Sequence, residues 1–412
     1  MKKLHILLLV LFALNFANAQ NWIPQTSGTS LSLFSVYFPD ANTGYAVGGA
    51  FDGSSGIILK TTNGGTNWTT QTTISQSLYS VFFIDANTGY AVGGDYINEV
   101  GIILKTTDGG TNWTNQSFGI SNVWLYSVYF TNANNGYAVG MSYNGSIILK
   151  TTDGGTNWTR QTLGPATQLN SVFFTSENTG YAVGLTFPNT SNGLIAKTTD
   201  AGATWTTQTM SSTAPLHSVY FPNTNTGYAV GSGGVIFKTI DGGGTWTSQN
   251  SGNSNYFFGV YFTDASTGYV VGDGEIIMKT TTGGTNWTTQ YSGTVGFYSV
   301  YFTDINTGYV VGDSGKILKT TNGGAIGINE SSFTHNNITI YPNPIKDKFV
   351  IEFSILIGNK YISIINVDGR QVFEQKITDR ITQIDINRLP CGVYFLKLEN
   401  DKTVEVRKLI KE

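Results

Sequence analysis

Short apolar runs separated by polar turns recur along most of the chain, and the first repeat shows the pattern clearly. Apolar or β-branched residues dominate Leu33 to Phe38, Gly44 to Gly48, Ile57 to Thr61 and Trp68 to Thr72. An Asp-Ala-Asn-Thr stretch, a longer loop and an Asn-Gly-Gly stretch lie between them. Runs of this length between turn signals are typical of β-strands. The repeat is therefore predicted to contain four antiparallel strands, here called A to D.

Seven copies of a Gly-Tyr pair mark this pattern every 40 to 47 residues. They are Gly44-Tyr45, Gly89-Tyr90, Gly136-Tyr137, Gly180-Tyr181, Gly227-Tyr228, Gly268-Tyr269 and Gly308-Tyr309. Four strands in a unit of this length are typical of a β-propeller blade. The composition agrees, because 50 glycines and 13% aromatic residues suit many short strands joined by tight turns. We predict an all-β fold, with a seven-bladed β-propeller over residues 20–327.

Strand D carries a Trp-x-x-Gln pattern in six of the seven units. The seventh unit loses the pattern after Gly324, while an extra copy, Trp22 with Gln25, precedes the first strand A. The N-terminal strand is therefore predicted to complete the last blade and close the ring, with Trp22 holding the first blade against the seventh. Closure would remove two exposed sheet edges, in a chain whose single cysteine, Cys391, excludes an internal disulfide.

The turn between strands C and D repeats a Thr-x-Asp-x-Gly pattern just before the tryptophan. Its aspartates include Asp108, Asp153, Asp200 and Asp241, whereas Asn63, Thr282 and Asn322 replace aspartate in three units. A carboxylate at this place is expected to accept backbone N–H groups, while glycine supplies a positive φ. The pattern resembles the Asp-box. We therefore expect a structural role for these aspartates, and weaker caps where aspartate is replaced.

Together with the Gly-Tyr-Ala-Val-Gly strand, these turns make residues 21–325 resemble the propellers of the photosystem II assembly and stability factors, and more distantly sialidases, sortilin-type receptors and xyloglucanases. The resemblance implies the fold and little about function. Sialidases of that group use three arginines, and the photosystem factors are described as using an arginine-rich patch. The propeller has one arginine, Arg160, so neither function is expected to carry over.

The distribution of charge excludes one class of partner. Residues 20–327 hold 15 acidic and 9 basic residues, and residues 328–412 hold 11 acidic and 12 basic residues. A nucleic-acid-binding protein needs a basic surface that neutralises phosphates. We therefore expect no binding of nucleic acid.

Strand order places the A–B and C–D turns on one face of the ring, the constant face, and the B–C and D–A loops on the other, the variable face. The loops of the variable face differ between blades and carry aromatic and polar side chains, which suit contact with a glycan or a protein. The candidate binding residues are Phe51, Asp95, Tyr96, Trp124, Tyr143, Phe187, His217 and Tyr256. The alternative is that each ring only packs onto its own blade.

Catalysis is the second hypothesis for the same face. Glycoside hydrolysis needs two carboxylates about 5–10 Å apart, and the variable face offers Asp52, Asp95, Glu99, Asp273, Glu275 and Asp313. The sequence contains no Ser-His-Asp order, no metal-ligand spacing and no phosphate loop. We expect no cofactor and no metal, assign no catalytic residue, and favour a binding or scaffold protein over a glycoside hydrolase or lyase.

The N-terminus has the pattern of an export signal. Residues 1–19 combine a basic start, an apolar run shorter than a membrane span and small residues up to Ala19. This pattern predicts a cleaved secretory signal peptide. No later segment is apolar enough to suggest a transmembrane span, so we expect none after cleavage.

After a polar linker, residues 328–337, alternating strands over residues 338–412 predict a small immunoglobulin-like β-sandwich. This segment resembles the type A C-terminal sorting domain of the type IX secretion system found in Bacteroidetes. The matching residues include Pro342, Asn343, Pro344, Gly369, Gly392, Tyr394 and the terminal Lys408-Leu409-Ile410-Lys411. The resemblance implies passage through the periplasm, recognition by the type IX machinery, and release or attachment at the outer cell surface.

Overall fold

A computed structural model describes residues 22–161, 163, 167–186, 192–208, 210, 214–324, 338–353, 360–366, 370–399 and 404–412. The chain divides into two compact units, Met1–Ala325 and Ile326–Glu412. The predicted signal peptide, residues 1–19, and the predicted linker, residues 328–337, lie outside the described residues. The boundaries proposed for these segments therefore stay predictions.

The described part of the first unit contains seven four-stranded antiparallel sheets, one for each sequence repeat. A short strand, β1 (Ile23–Gln25), precedes them. Blade 1 contains β2 (Ser32–Tyr37), β3 (Gly44–Gly49), β4 (Gly56–Thr61) and β5 (Thr69–Ile74); blade 2 contains β6 (Ser77–Phe83), β7 (Gly89–Asp95), β8 (Val100–Thr106) and β9 (Thr114–Asn115); blade 3 contains β10 (Val123–Phe130), β11 (Gly136–Ser142), β12 (Gly145–Thr151) and β13 (Thr159–Gln161).

Blade 4 contains β14 (Thr167–Phe174), β15 (Gly180–Thr186), β16 (Gly193–Thr198) and β17 (Thr206–Gln208); blade 5 contains β18 (Leu216–Tyr220), β19 (Gly227–Gly231), β20 (Ile236–Thr239) and β21 (Thr247–Gln249). Blade 6 contains β22 (Phe257–Phe262), β23 (Gly268–Gly272), β24 (Ile276–Thr280) and β25 (Thr288–Tyr291); blade 7 contains β26 (Phe297–Phe302), β27 (Gly308–Gly312), β28 (Ile317–Thr320) and β1. Two single-turn 3₁₀ helices, Ser232–Gly234 and Asp313–Gly315, form B–C turns. The predicted all-β propeller is confirmed.

The C–D turns on the constant face are held by their own side chains. In blade 2, Asp108 Oδ1 accepts the N–H of Asn112 at 2.9 Å, and Thr106 Oγ1 accepts that of Gly110 at 2.8 Å. The same carboxylate cap is present at Asp153, Asp200 and Asp241. Hydrogen bonds from Thr204 lower the pKa of Asp200 to about 2, because they stabilise the charged form. These aspartates therefore stabilise the turns in which they lie.

Neighbouring blades pack through aromatic and branched apolar side chains. Between blades 1 and 2, Tyr45 stacks on Phe83 with ring centroids 3.9 Å apart, and Trp113 meets Phe83 edge-on at 5.9 Å. Val47 and Ile58 of blade 1 join the same buried cluster as Leu78 and other residues of blade 2. Burial of this apolar surface is the main favourable contribution to blade packing. Each interface thus needs a tryptophan, a tyrosine and a phenylalanine at matched places.

A polar contact supplements this packing at every interface between blades. The strand B tyrosine and the strand C lysine of one blade both donate to a backbone carbonyl in the C–D turn of the next. The acceptors and their donors are Gly109 (Tyr45, Lys60), Gly154 (Tyr90, Lys105), Ala201 (Tyr137, Lys150), Gly242 (Tyr181, Lys197), Gly283 (Tyr228, Lys238), Gly323 (Tyr269, Lys279) and Gly64 (Tyr309, Lys319). Each ammonium also lies 5.5–5.8 Å from the tyrosine ring centroid, which adds a cation–π contact.

The N-terminal strand closes the ring, as predicted. β1 pairs antiparallel with β28, with Ile23 opposite Lys319 and Gln25 opposite Ile317. Trp22 is 1% exposed and contacts Tyr269 and Phe302 edge-on at 6.3 and 6.0 Å. It therefore fills the core between blades 6 and 7. The prediction that Trp22 holds the first blade against the seventh is wrong, because strand D of each blade faces the preceding blade.

The contact from Tyr309 and Lys319 to Gly64 joins the last blade to the first, and it offers a direct test. Replacing Tyr309 with phenylalanine removes one of the two donors to a buried carbonyl and keeps the packing of the ring. We expect the free energy of unfolding to fall by about 0.5–1.5 kcal/mol. Tyr137→Phe, which cuts the equivalent bond to Ala201 within the continuous chain, is the matched control. Chemical denaturation curves identical to those of the unaltered chain would contradict the role of both contacts.

The second unit is a two-sheet sandwich with a core of its own. One sheet contains β29 (Ile338–Tyr341), β30 (Lys348–Phe353) and β33 (Ile381–Asp385), and the other contains β32 (Gln371–Ile377), β31 (Lys360–Asn366), β34 (Gly392–Glu399) and β35 (Val404–Lys411). Phe349, Ile351, Ile364, Leu396 and other buried residues of both sheets form one cluster. The predicted sandwich is confirmed, although β32 carries too many polar residues for its alternation to be recognised.

One predicted sorting-motif residue, Asn343, connects the start of this unit to its last strand, β35. Asn343 donates through Nδ2 to the carbonyl of Lys408 at 2.9 Å and accepts the N–H of Ile410 at 2.9 Å. Its amide thus pairs with the last strand as a neighbouring strand would. Tyr394 is buried, and its hydroxyl donates to the carbonyl of Pro390. Gly369 lies outside the described residues.

Candidate binding site

Each inner strand of the propeller has a β-bulge, and the bulged residue faces the central channel. In blade 1, the pairing of β2 with β3 shifts between Leu33 and Ser35, so Phe34 has no partner across the strand. A bulge bends its strand and re-aims the extra side chain. The bulged residues, here called the upper ring, are Phe34, Tyr79, Tyr126, Asn170, His217, Phe258 and Tyr298. All seven line one cavity of about 150 Å³ on the channel axis.

Six aromatic side chains of the upper ring form an open arc. Successive centroids from Tyr126 through Tyr79, Phe34, Tyr298 and Phe258 to His217 lie 5.2–5.5 Å apart. Asn170 takes the remaining place, where its amide donates to the carbonyl of Leu216 at 2.7 Å and accepts from Gln168 at 2.7 Å. The small, fixed amide leaves the arc open between Tyr126 and His217.

A layer of serines lies directly below the upper ring. The next residue along each inner strand is Ser35, Ser80, Ser127, Ser171, Ser218 or Ser299, with Gly259 in blade 6. Five of these hydroxyl oxygens accept a valine N–H from the following blade at 3.2–3.3 Å. Within the described residues, those five hydroxyls donate to no acceptor. These serines are partly exposed and line the cavity, so their hydroxyl groups can donate to a molecule inside it.

A second aromatic ring narrows the channel towards the constant face. This lower ring is formed by Tyr37, Phe82, Tyr129, Phe173, Tyr220, Tyr261 and Tyr301. Each side chain contacts both neighbours, with centroids 4.8–5.3 Å apart around the whole circle. The cavity itself is lined by the upper ring and by the residues that follow it along strand A, so it lies on the variable-face side of the lower ring.

Four of the candidate binding residues extend the upper ring outward over the variable face. Phe51 contacts Phe34 and Tyr298 at centroid distances of 5.5 and 6.2 Å. Tyr96 stacks on Trp124 at 5.2 Å and shares a hydrogen bond of 2.6 Å with Tyr126. Tyr143 meets Trp124 edge-on at 5.4 Å. Phe51, Tyr96, Trp124 and Tyr143, with the upper ring, are here called the aromatic cluster.

Two of these predictions need correction, because Trp124 and Asp95 are not exposed. Trp124 is 3% exposed, and its Nε1 donates to the carbonyl of Asp95 at 3.0 Å. Asp95 is 2% exposed, and its carboxylate accepts the N–H groups of Ile97 and Asn98 and the Asn98 amide. These hydrogen bonds, led by the one from the Asn98 side chain, hold the pKa of Asp95 below its usual value. Both residues support the loops and present little surface to a ligand.

The remaining candidates lie around the same mouth. His217 belongs to the upper ring, and its Nε2 shares a hydrogen bond of 3.0 Å with Ser232. Burial lowers the pKa of His217 to about 4, because the charged imidazole would lose its hydration. Tyr256 is 49% exposed and has its ring centroid 6.5 Å from that of His217. Phe187 lies outside the described residues.

Most acids proposed for catalysis are held by other groups. Asp52 accepts from the N–H and hydroxyl of Ser54. Glu99 accepts from the Tyr143 hydroxyl, and Glu275, which is buried, pairs with Lys316. Asp313 accepts from the hydroxyls of Ser32 and Tyr298 and from the N–H of Gly296. Burial, and then the charge of Asp313, raises the pKa of Asp273 above its usual value. Among the described residues, no group of three or more acids, histidines or cysteines is placed to hold a metal ion.

Comparison with protein families supports the interpretation of both units. The model of the family described as photosynthesis system II assembly factor YCF48 matches residues 69–214 and 203–293, more than half of the chain. The chain belongs to the YCF48 family. A second family model, the secretion system C-terminal sorting domain, matches residues 339–412. The match indicates type IX secretion to the cell surface or beyond it.

Solved structures agree with the YCF48 family fold. A structure of YCF48 bound to D1 peptide is 19% identical, with a TM-score of 0.60, and covers 73% of this chain and 97% of its own. YCF48 from Cyanidioschyzon merolae is 20% identical, with a TM-score of 0.58 and coverage of 73% and 98%. The WD40 propeller domain of Doa1 is 10% identical, with a TM-score of 0.55 and coverage of 72% and 96%. At these identities the likeness shows the fold alone.

Two further observations concern curated relatives and membrane-spanning helices. A search of curated proteins returned no match. Among the residues that the structure describes, no helix has the length and apolar character needed to cross a membrane.

Proposed function

We propose that this protein is an exported, non-catalytic binding or scaffold propeller, which contacts a glycan or a protein through its variable face. One observation carries the proposal: exposed rings and buried rings form a continuous aromatic cluster at the channel mouth. Phe51 and Tyr143 are 62% and 63% exposed, although both contact rings beneath them. Exposed aromatic side chains held by other rings are typical of surfaces that bind a partner.

The charges of the variable face favour a ligand that is not acidic. Asp52, Glu99, Asp273 and Asp313 lie on or beside this face. Lys316 is the cation placed among them within the described residues, and it pairs with Glu275. An anionic ligand would therefore meet like charge, which opposes its binding.

Two supports point to the two classes of partner. One solved YCF48 structure has D1 peptide bound, so a propeller of this family can hold a peptide. Exposed tyrosines and phenylalanines with amide and hydroxyl groups nearby also suit a sugar, whose C–H faces stack on rings while its hydroxyls form hydrogen bonds. A role in photosynthesis is not part of the proposal, because the described propeller has Arg160 alone in place of an arginine patch.

The alternative function is a secreted glycoside hydrolase or lyase that uses acids of the same face. Asp273 is exposed, and partial desolvation together with the charge of Asp313 raises its pKa above the usual value, which is the direction that a general acid needs. A hydrolase of this kind needs a second carboxylate about 5–10 Å away that is free to act. The hydrogen bonds of Asp313 and Asp52 favour structural roles for both. Release of reducing ends, or of unsaturated ends, from a bound glycan would favour the alternative.

A double substitution, Phe51→Ala with Tyr143→Ala, tests the binding face. We expect it to abolish capture of the partner, because it removes the two most exposed rings of the cluster. Unfolding should change by no more than about 0.5 kcal/mol for each exposed site. Capture is measured by a glycan array and by pull-down from the culture medium of the source cells, each with both proteins.

The matched control lies on the constant face, where Ile240 and Ile305 are 70% and 63% exposed. Ile240→Thr with Ile305→Ala removes a similar exposed apolar surface and restores the residues found in other repeats. It should leave capture intact. Equal capture by both double variants would contradict the placement of the binding face.

We further propose that export proceeds through the periplasm by way of the signal peptide and the type IX machinery. The sorting-domain match supports recognition of residues 338–412 at the outer membrane. Release and surface attachment are distinguished by fractionating the culture into cells and medium.

A further inference from the structure

We infer that the outer edge of blade 2 is a second binding site, which takes a short extended peptide by pairing it with the start of β8. The site is a cavity of about 550 Å³ between the first residues of β8 and the D–A loop that follows β9. Its lining shares no residue with the cavity of the upper ring. The inference therefore goes beyond the proposed function and does not depend on it.

The backbone of Gly101 faces this cavity without a strand partner. β9 pairs with β8 at Leu104 and Lys105, and Gln116 adds one hydrogen bond to the carbonyl of Ile103 at 2.8 Å. Because the backbone groups of successive residues point to opposite sides of a strand, those of Gly101 point to the same side as those of Ile103. On that side, no group of the described residues forms a hydrogen bond with Gly101.

Three other blades cover the same position, two residues before the isoleucine equivalent to Ile103, with groups of their own. The contacts are the strand pair of Ile74 with Gly56 in blade 1, the hydrogen bond of the Arg160 guanidinium to the carbonyl of Ser146 at 3.4 Å in blade 3, and that of the Ser251 hydroxyl to the carbonyl of Gly234 at 2.7 Å in blade 5. An edge that these blades close thus stays open in blade 2. Open strand edges pair readily with an extended segment of another chain.

A comparison with blade 1 indicates which part of the covering strand is missing. Ile74 Cγ1 would lie 3.0 Å from a Cβ added to Gly56, and Phe118 Cζ would lie 3.2 Å from a Cβ added to Gly101. Phe118 therefore supplies in blade 2 the apolar side chain that Ile74 supplies in blade 1, whereas the backbone partner is absent. A peptide backbone fits this place if the residue opposite Gly101 is small, such as glycine or alanine.

The remaining wall of the cavity favours certain residues on either side of the small one. Val100 is 45% exposed at the edge, and Ile120 is partly buried against the core between blades 2 and 3. Glu99 is the one charged side chain among the residues that line the cavity, so an acidic peptide would meet like charge. We therefore expect apolar flanking residues and no carboxylate in the bound segment.

The open part of the edge is short, which limits the length of the ligand. Asn122 donates its N–H to the carbonyl of Glu99 at 3.0 Å, so the D–A loop covers the edge beyond Gly101, as Gln116 covers it on the other side. One ligand residue can thus exchange both backbone hydrogen bonds with Gly101, and its neighbours contact the walls. The site suits a short segment rather than a long added strand.

The first test uses the full chain and three synthetic peptides, each acetylated and amidated at its ends. Their sequences are Thr-Val-Gly-Val-Thr, Thr-Val-Ala-Val-Thr and Thr-Val-Ile-Val-Thr. We expect calorimetric titration to show binding of the glycine and alanine peptides and at least tenfold weaker binding of the isoleucine peptide, because Phe118 occupies the space of the larger side chain. Amide hydrogen exchange over Val100–Ile103 should slow when the glycine peptide is bound.

A loop exchange gives the matched variant. Replacing Gln116–Val123 with the blade 1 residues Gln71–Gln76 lets blade 2 complete its own strand D, so peptide binding should be lost. Val100→Ser, which introduces the type of residue that precedes Gly56 in blade 1, should weaken binding at least threefold and keeps the loop unchanged. Ile240→Thr on the constant face is the control and should bind the peptides as the unaltered chain does.

Four results would overturn the inference: no binding of any peptide, equal affinity for all three, binding without slower exchange over β8, or unchanged affinity of a folded loop-exchange chain. If the exchanged chain does not fold, unchanged affinity of Val100→Ser takes its place. Binding of N-acetylglucosamine in place of the peptides would also overturn it, because the site would then recognise the amide of a sugar. Capture of a glycan or protein through Phe51 and Tyr143 is measured separately and decides only the proposed function.

Discussion

Replacing Trp22 with alanine is expected to lower the free energy of unfolding by about 3–5 kcal/mol, the usual cost of truncating a buried tryptophan. The indole is 1% exposed and packs edge-on against Tyr269 and Phe302. Its loss leaves a cavity between blades 6 and 7 and frees the three-residue strand β1, which has few other contacts to hold it on β28. Thermal and denaturant unfolding, followed by tryptophan fluorescence and circular dichroism, measure the change.

Trp205→Ala is the matched control for this experiment. Trp205 occupies the same place in blade 4, where it meets Phe174 edge-on at 6.1 Å, but its strand is held by the chain on both sides. We expect a similar loss of packing energy in both variants. Protease cleavage near residues 26–31 should rise in Trp22→Ala only, because the released strand exposes the edge of β28. A melting curve unchanged by Trp22→Ala would remove the closure of the ring as a source of stability.

The number of blades and the closing strand could be predicted because both depend on local signals that repeat. The Gly-Tyr pair recurs because Gly44 and its equivalents lie against the ring of Phe38 and its equivalents, where a Cβ on Gly44 would come within 2.4 Å of that ring. The tryptophan copies leave one strand unaccounted for, and Trp22 is the one place where it can be found. The number of these motif copies gives the number of blades, because each blade repeats the same packing contacts.

The channel could not be predicted by the same reasoning. Alternation along strand A indicates two faces, but the bulge at Phe34 and its equivalents shifts the register and turns one extra side chain inward. A signal existed: the residue before Ser-Val varies between repeats while its neighbours stay nearly constant. His217 stands out by its chemistry, whereas Tyr79, Tyr126 and Asn170 were missed.

Two residues predicted for the binding surface, Trp124 and Asp95, are buried. Trp124 stands in a variable stretch, which favoured an exposed ring, yet its indole N–H reaches the carbonyl of Asp95 and its ring lies under Tyr96. Asp95 in turn caps the turn that carries Tyr96. Exposed and supporting residues in these loops are of the same aromatic and acidic types. The sequence alone therefore does not tell which of them is exposed, whereas their contacts in the structure do.

The lysine repeat illustrates the same limit. Recurrence at matched places predicts a structural role for Lys60 and its equivalents, but it does not predict their partner. That partner, a carbonyl such as that of Gly109, lies in the next blade and has no side chain of its own. Six of the seven acceptors belong to the first glycine of a Gly-Gly turn and the seventh to Ala201, but the glycines are explained by the turn itself and give no sign of the donors they meet. The two donors from Tyr45 and Lys60 explain why both residues repeat together.

Deleting residues 338–412 is expected to retain the propeller in the periplasm and to remove it from the medium and the cell surface. The family match places a sorting domain there, and the domain has its own core, so its removal should leave the propeller's buried clusters intact. Cell fractionation with an antibody against the propeller measures the distribution. Export of the truncated chain at the level of the full chain would overturn the assignment.

A point substitution tests the sorting motif while the rest of the sorting domain is kept. Asn343→Ala removes both hydrogen bonds that join the sorting motif to the last strand, at Lys408 and Ile410. Ile345 keeps its backbone hydrogen bonds to Ile410 and Glu412, so the sandwich should stay folded while the motif itself loses its link to the strand. We therefore expect export to fall while the propeller remains folded. Ile381→Thr, at a position 56% exposed on β33, is the control and should be exported normally. Normal export of Asn343→Ala would mean that the machinery reads the terminal strand without the motif beside it.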